Sequence, residues 1–201
     1  MVKQPSSPTL SWSLPPRLTP CLVLVLICLS SATWGCGQED IEIELVGPVT
    51  IDGCVVNPGV RRFPYASYSA APDGGGLIRL QQSSGPPNVD DAFLFRISDR
   101  EALRHRLEER LPLGSPSGNL LIEGVAHFAG SCDRLLNRPI GMRGSVAFTH
   151  FQGRIDSRVE ATATFSLFDK RQPDVLLARD LSLHFSFTIR RYQPYQTFLG
   201  Q

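Results

Sequence analysis

Residues 145–167 read Ser145-Val146-Ala147-Phe148-Thr149-His150-Phe151-Gln152-Gly153-Arg154-Ile155-Asp156-Ser157-Arg158-Val159-Glu160-Ala161-Thr162-Ala163-Thr164-Phe165-Ser166-Leu167, and this stretch decides the fold. Val146, Phe148 and His150 share one parity. Ile155, Val159, Ala161, Ala163, Phe165 and Leu167 share the other. Such alternation marks strands with one buried face. Taking Gln152-Gly153 as a two-residue hairpin loop pairs Phe151 with Arg154 and Val146 with Val159. The apolar sets then meet on one face and the polar sets on the other, whereas a one-residue slip would mix them.

Downstream, Leu181, Leu183, Phe185, Phe187 and Ile189 repeat the pattern after a connection across Asp169–Ala178, with Pro173 in the loop. Two registers suit this second hairpin, one with Val159 opposite Phe187 and one with Glu160 opposite Arg190. The register between them faces Arg158 with Arg190, and like-charge repulsion disfavours it. In each case the small Ala161 and Ala163 leave room for Phe185 and Phe187.

Upstream, Leu120, Ile122, Ala126 and Phe128 form another apolar face, and residues 41–45, 49–51, 77–80 and 92–97 read as further strands. Residues 57–76 hold Pro58, Pro64, Pro72 and the Gly74-Gly75-Gly76 run, and read mostly as irregular surface loop. One helix is predicted over 98–111. Ser98 and Glu101 form a capping box, Asp99 lies in the first turn, Leu103, Leu107 and Leu111 recur every four residues, and Pro112 stops the pattern. Arg100, Arg104, Arg106, Glu108 and Arg110 then make its solvated side. The expectation is a single mainly-β domain over 41–201: an antiparallel β-sandwich, with a partly closed barrel as the alternative, and one short surface helix.

The N-terminus is of a different kind. Lys3 and Arg17 are the only charges before Glu39, and Cys21–Leu29 is wholly apolar. Ser30-Ser31-Ala32-Thr33-Trp34-Gly35 follows. A positive start, a short apolar core and a small-residue exit make residues 1–35 a cleavable signal peptide. The apolar run is shorter than the roughly 20 residues that a membrane span requires. Residues 36–40 follow as a polar tether.

Gly35-Cys36-Gly37 resembles the end of a bacterial lipobox, in imperfect form. The resemblance covers about 20 residues around the signal's end. It implies the bacterial lipoprotein class, with Cys36 diacylated as the first mature residue and the protein held to a membrane by that lipid. Ser30 and Ala32 offer an ordinary signal-peptidase site instead, which would give a periplasmic or secreted soluble protein. Of the five cysteines, Cys21 and Cys28 leave with the signal. If Cys36 carries lipid, Cys54 and Cys132 are left as a pair for a disulfide in an oxidising compartment. Gly37 after the lipidated cysteine lacks the Asp that retains many such lipoproteins in the inner membrane, so the outer membrane is the expected site.

No catalytic motif stands out. Gly114-Ser115-Pro116-Ser117-Gly118 has Pro116 where a nucleophile elbow needs its nucleophile. The Gly74–Gly76 run has no Lys-Ser/Thr after it, so it is no phosphate loop. His105, His127, His150 and His184 show no metal-ligand spacing, and His127, His150 and His184 read as exposed or edge positions. Asp156, Arg158, Glu160, Thr162 and Thr164 form a polar outer ladder. Arg190-Arg191-Tyr192-Gln193-Pro194-Tyr195 mixes Arg with Tyr as binding surfaces do. Lys and Arg number 20 against 19 Asp and Glu, so no global charge draws the chain to nucleic acid. The expectation is a non-enzymatic envelope protein, without cofactor or metal, acting as a binding or structural module with a possible envelope protein partner. The alternatives are a carrier of an apolar ligand and a secreted hydrolase.

Overall fold

The computed structural model describes residues 41–45 and 48–190, all within one unit, Gln38–Gln201. The strands are β1 (Glu42–Leu45), β2 (Val49–Ile51), β3 (Cys54–Val56), β4 (Gly59–Arg62), β5 (Tyr65–Ala70), β6 (Gly76–Gln81) and β7 (Asp91–Ile97). After helix α1 (Arg100–Arg104) come β8 (Leu111–Leu113), β9 (Pro116–Ser117), β10 (Leu120–Phe128), β11 (Ile140–His150), β12 (Arg158–Asp169) and β13 (Gln172–Thr188). Eleven of them form one sheet, in the order β4-β1-β13-β12-β11-β8-β10-β7-β6-β5 with β9 beside β10, while β2 and β3 make a separate hairpin. The sheet curls strongly into a half-barrel. Of the two architectures open to the sequence, the partly closed barrel forms, because its inner face wraps around one core instead of meeting a second sheet.

That core is aromatic. Phe93 contacts Phe63, Phe128 and Phe165 with ring centroids 5.4–5.9 Å apart. Phe185 contacts Phe95, Phe148 and Phe187 at 5.5–6.4 Å. Fully burying each such ring contributes about 1.5–3 kcal/mol, so the Phe-rich parity of the late strands supplies much of the driving force. Leu77, Ala92, Leu94 and Val125 form a second, smaller buried cluster on the outer face of β6, β7 and β10.

The late meander keeps the expected faces. Val159 lies opposite Phe187 and Ala161 opposite Phe185, one of the two registers the sequence allowed. The turn is tighter than expected: Asp169 pairs with Gln172, so β13 already includes Pro173. In the first hairpin Val146 pairs with Ala163 and Phe148 with Ala161, four residues away from the two-residue-loop register. An even shift preserves the faces. The loop widens because Phe151 leaves the ladder and is buried against Tyr68 and Phe148, with a bulge between Phe148 and His150. Ile155, expected on the apolar face, is exposed in this loop.

Two other expectations change. The helix spans only Arg100–Arg104, and Asp99 caps it by accepting the N–H groups of Glu101 and Ala102. Ser98 accepts the Leu121 N–H instead. The helix ends at Arg104 with His105 as its cap, Glu108 takes φ 67° in the turn that follows, and Leu111 and Leu113 become inward residues of β8, wedged between β10 and β11. The four-residue leucine repeat therefore joins a helix to a strand. The arginines are not simply solvated: Arg100, Arg104 and Arg106 donate to the carbonyls of Gly74, Gln152 and Ser117 at 2.8–3.0 Å. They tie the loops at Gly74 and Gln152 to α1, and β9 to the turn after it.

The stretch 57–76, read as loop, contains β4 and β5. These are the two edges of the sheet, and only Phe63 and Pro64 separate them. One continuous segment thus borders β1 with its first half and β6 with its second. Phe63 faces the core, and the next core-facing residues are Ala66 and Tyr68, so the alternation slips by one residue at Pro64-Tyr65. Proline is tolerated at such an edge bulge because the ladder asks no N–H of it.

Candidate functional site

At one end of the barrel, the disulfide Cys54–Cys132 joins the β2–β3 hairpin to the segment after β10, with Cα atoms 6.3 Å apart. The expected pairing is present, and it closes a long loop across sequence separation 78. Cys36, the expected lipidation site, lies outside the described residues, as do residues 1–35 and Arg191–Tyr195.

Beside the disulfide lies a polar cluster that the sequence reading did not single out. Asp91, at the start of β7, is fully buried and shares the inward parity of Phe93 and Phe95. Arg61 Nη1 on β4 donates to Asp91 Oδ2 at 2.7 Å and to Ser131 Oγ at 2.6 Å. The Ser131 N–H donates to Asp91 Oδ1 at 2.8 Å, and the Ser131 hydroxyl donates to Oδ2. Burial raises the Asp91 carboxyl above the usual carboxylate range, opposed by the Ser131 hydrogen bonds and the Arg61 charge. One signal was available: a carboxylate sits at an apolar-parity position in the stretch from Asp91 to Ile97.

A second ion cluster holds the tip of the β2–β3 hairpin. The buried Arg138 guanidinium lies between Asp52 and Asp169, its Nη2 2.7 Å from Asp169 Oδ2. The Arg171 backbone N–H, then Arg138, hold the Asp169 carboxyl below its ordinary range against a burial penalty. A depression of about 300 Å³ opens there, lined by Asp52, Arg138, Arg171, Val175 and Leu177 among others.

The histidines are scattered. His150 pairs with Glu160 at 3.1 Å, His105 lies 3.5 Å from Glu101, and His184 faces Thr162 at 3.3 Å on the outer ladder. His127 corrects an expectation. It lies on the outer parity of β10 yet is fully buried, and neither ring nitrogen has a hydrogen-bond partner. Burial lowers its pKa from 6.5 to about 4, so it is neutral at physiological pH. Among the described residues, no group of three or more His, Cys, Asp or Glu side chains could hold a metal ion. Gly114–Gly118 contains β9, which pairs back on β10, and its Ser117 Oγ accepts from Arg106.

Chemically, Arg61, Asp91 and Ser131 satisfy one another. A hydroxyl that donates to a carboxylate already paired with a guanidinium is a clamp, not an activated nucleophile. It joins the edge strand β4 to the inner strand β7, two strands that no ladder connects among the described residues. Comparison with protein-family models, curated proteins and solved structures finds no match.

Proposed function

We propose that the chain is an exported, lipid-anchored envelope protein whose β domain serves as a binding or structural module and not as an enzyme. The disulfide Cys54–Cys132 carries the reading. Such a bridge belongs to an oxidising, extracytoplasmic compartment. It also leaves Cys36 as the odd cysteine downstream of the signal segment, in the sequence context of a lipobox. Gly37 after that cysteine, in place of the Asp that retains many such lipoproteins in the inner membrane, supports the outer membrane as the site of the anchor. The ring-on-ring packing of Phe93, Phe165, Phe148 and Phe185 fills the curl and favours a module with a solid core over a carrier of apolar ligands.

The test is metabolic labelling with radioactive palmitate. Label is expected on the chain and is expected to vanish with Cys36→Ala. A chain that takes no Cys36-dependent label is not a lipoprotein.

A further inference from the structure

Two elements at one end of the barrel stand outside its ladders and are joined to each other. One is the β2–β3 hairpin, which among the described residues pairs with no strand of the main sheet. The other is a strap, residues 129–139, which joins β10 to β11 and carries a single 3-10 turn, Asp133–Leu135. Most of its backbone bonds are local: the Cys132 N–H donates to Phe128 O, Leu135 to Cys132 O and Arg138 to Leu135 O, at 2.9–3.0 Å. The Asn137 N–H reaches further, to Asn88 O. The disulfide Cys54–Cys132 links hairpin to strap, and Arg138 of the strap pairs with Asp52 at the hairpin's tip.

Both elements cover the same part of the core. Val49, Ile51 and Val56 of the hairpin and Leu135 of the strap are buried in one cluster with the aromatic residues. Phe128 lies opposite Asp91 at the root of the strap, and Phe93 is two residues on from Asp91. Phe63 is two residues on from Arg61, which pairs with Asp91. Their rings meet in series, Phe63 on Phe93 and Phe93 on Phe128. The end beneath the hairpin and strap is therefore aromatic. A part of a fold held by side chains and one covalent bond, without ladder bonds to the sheet, opens at lower cost than the sheet itself. Cys54 is buried and Cys132 half-buried, so the bridge is reached from the strap side.

We propose that the hairpin and the strap form one cap over the barrel's aromatic end, that the disulfide is its latch, and that a dithiol reductant releases it. One thiolate of the reductant attacks a bridge sulfur and breaks the Cys54–Cys132 bond, giving a mixed disulfide. The second thiol then attacks the mixed disulfide. The reductant leaves as a disulfide, and its two electrons and two protons stay on Cys54 and Cys132 as thiols. With the latch gone, hairpin and strap are held by the Arg138–Asp52 pair and apolar contacts, and they open more often while the sheet stays formed. The open cap exposes Phe63, Phe93 and Phe128. Neither step depends on a lipid at Cys36.

The test compares the full chain oxidised and reduced with dithiothreitol, with Cys21→Ala, Cys28→Ala and Cys36→Ala so that Cys54 and Cys132 are its remaining cysteines. Amide hydrogen exchange is read at Leu135, Asn137 and Arg138 in the strap, and at Ala161 and Ala163 in β12, which is paired on both sides. Reduction is expected to speed the strap amides roughly 10-fold or more, and to leave them roughly 10-fold or more less protected than the two β12 amides. The apolar dye anilinonaphthalene sulfonate is expected to gain fluorescence with the reduced chain, while the strand signal in circular dichroism is retained. Strap amides that exchange equally in both states overturn the latch. Strap and β12 amides that fall to the same protection on reduction overturn the cap as a separate unit, because the whole domain then opens together. Faster strap exchange without a gain in dye fluorescence overturns the exposure of the aromatic end.

Discussion

Arg61 on β4 and Asp91 on β7 are 30 residues apart in sequence and meet at 2.7 Å, with the carboxylate fully buried and the guanidinium partly exposed. This ion pair holds β4 to β7 where backbone pairing among the described residues does not.

Removing one partner is expected to cost more than the pair contributes. Arg61→Ala leaves a buried carboxylate with Ser131 alone, and about 3 kcal/mol of stability at pH 7 should be lost. Urea unfolding measures it. Asp91 also gives a pH signature. Its folded pKa is raised above 3.8, so the native state holds the proton more tightly than the unfolded chain. Its contribution is favourable below the unfolded pKa and declines as pH rises through the folded one. The Arg61→Ala penalty should therefore shrink toward acid pH, and a penalty independent of pH would show that Asp91 does not carry the uncompensated charge.

His127 acts with the opposite sign. Its folded pKa is about 4 against 6.5 unfolded, so the unfolded chain binds the proton first. The fold loses stability as pH falls from about 6.5 toward 4, by up to about 3 kcal/mol. His127→Leu is expected to abolish this part of the acid sensitivity, read as the difference in urea midpoint between pH 7 and pH 4.5. The same difference in variant and parent would place the acid lability elsewhere.

The disulfide secures a hairpin that is not part of the main sheet. Val49, Ile51, Cys54 and Val56 are buried in the common core, while among the described residues β2 and β3 pair with each other alone. Replacing Cys54 and Cys132 by Ala is expected to cost about 2–4 kcal/mol, seen as a lower urea midpoint with the strand signal in circular dichroism retained below it. A midpoint equal to the parent's would mean that Arg138 and apolar packing hold the hairpin unaided.

Gly144 is a backbone constraint in the middle of β11. It takes φ +155°, and a Cβ there would overlap the Thr164 carbonyl opposite. Gly144→Ala should destabilise by about 2–4 kcal/mol, measured by thermal or urea unfolding. A neutral result would mean that β12 can yield locally.

What was legible came from short-range alternation. The parity of Val146, Phe148, Ala161, Ala163, Phe185 and Phe187 sufficed to place these side chains on one face, because the pleat leaves a strand only two faces. The Val159–Phe187 pairing could be narrowed to one of two registers by charge and side-chain size. The loop after β11 could not be read that way. Phe151 is pulled out of the ladder by Tyr68, a residue 83 positions earlier (151 minus 68) that no local pattern connects to it. Residues 105–113 misled for a similar reason: the four-residue spacing of Leu103, Leu107 and Leu111 fits a helix, but the lane between β10 and β11 takes Leu111 and Leu113 as a strand.

By itself, then, the sequence determined a mainly-β domain, the inward faces of its late strands and a cysteine pair that could bridge. Only the tertiary structure decided that the sheet curls on itself, that the proline-rich stretch 57–76 supplies both edges, and that Arg61, Asp91 and Ser131 close one end. Alternation is a property of neighbouring residues, fixed by the geometry of each strand. Closure depends on which distant strands become neighbours, and that is settled only when the whole core is packed.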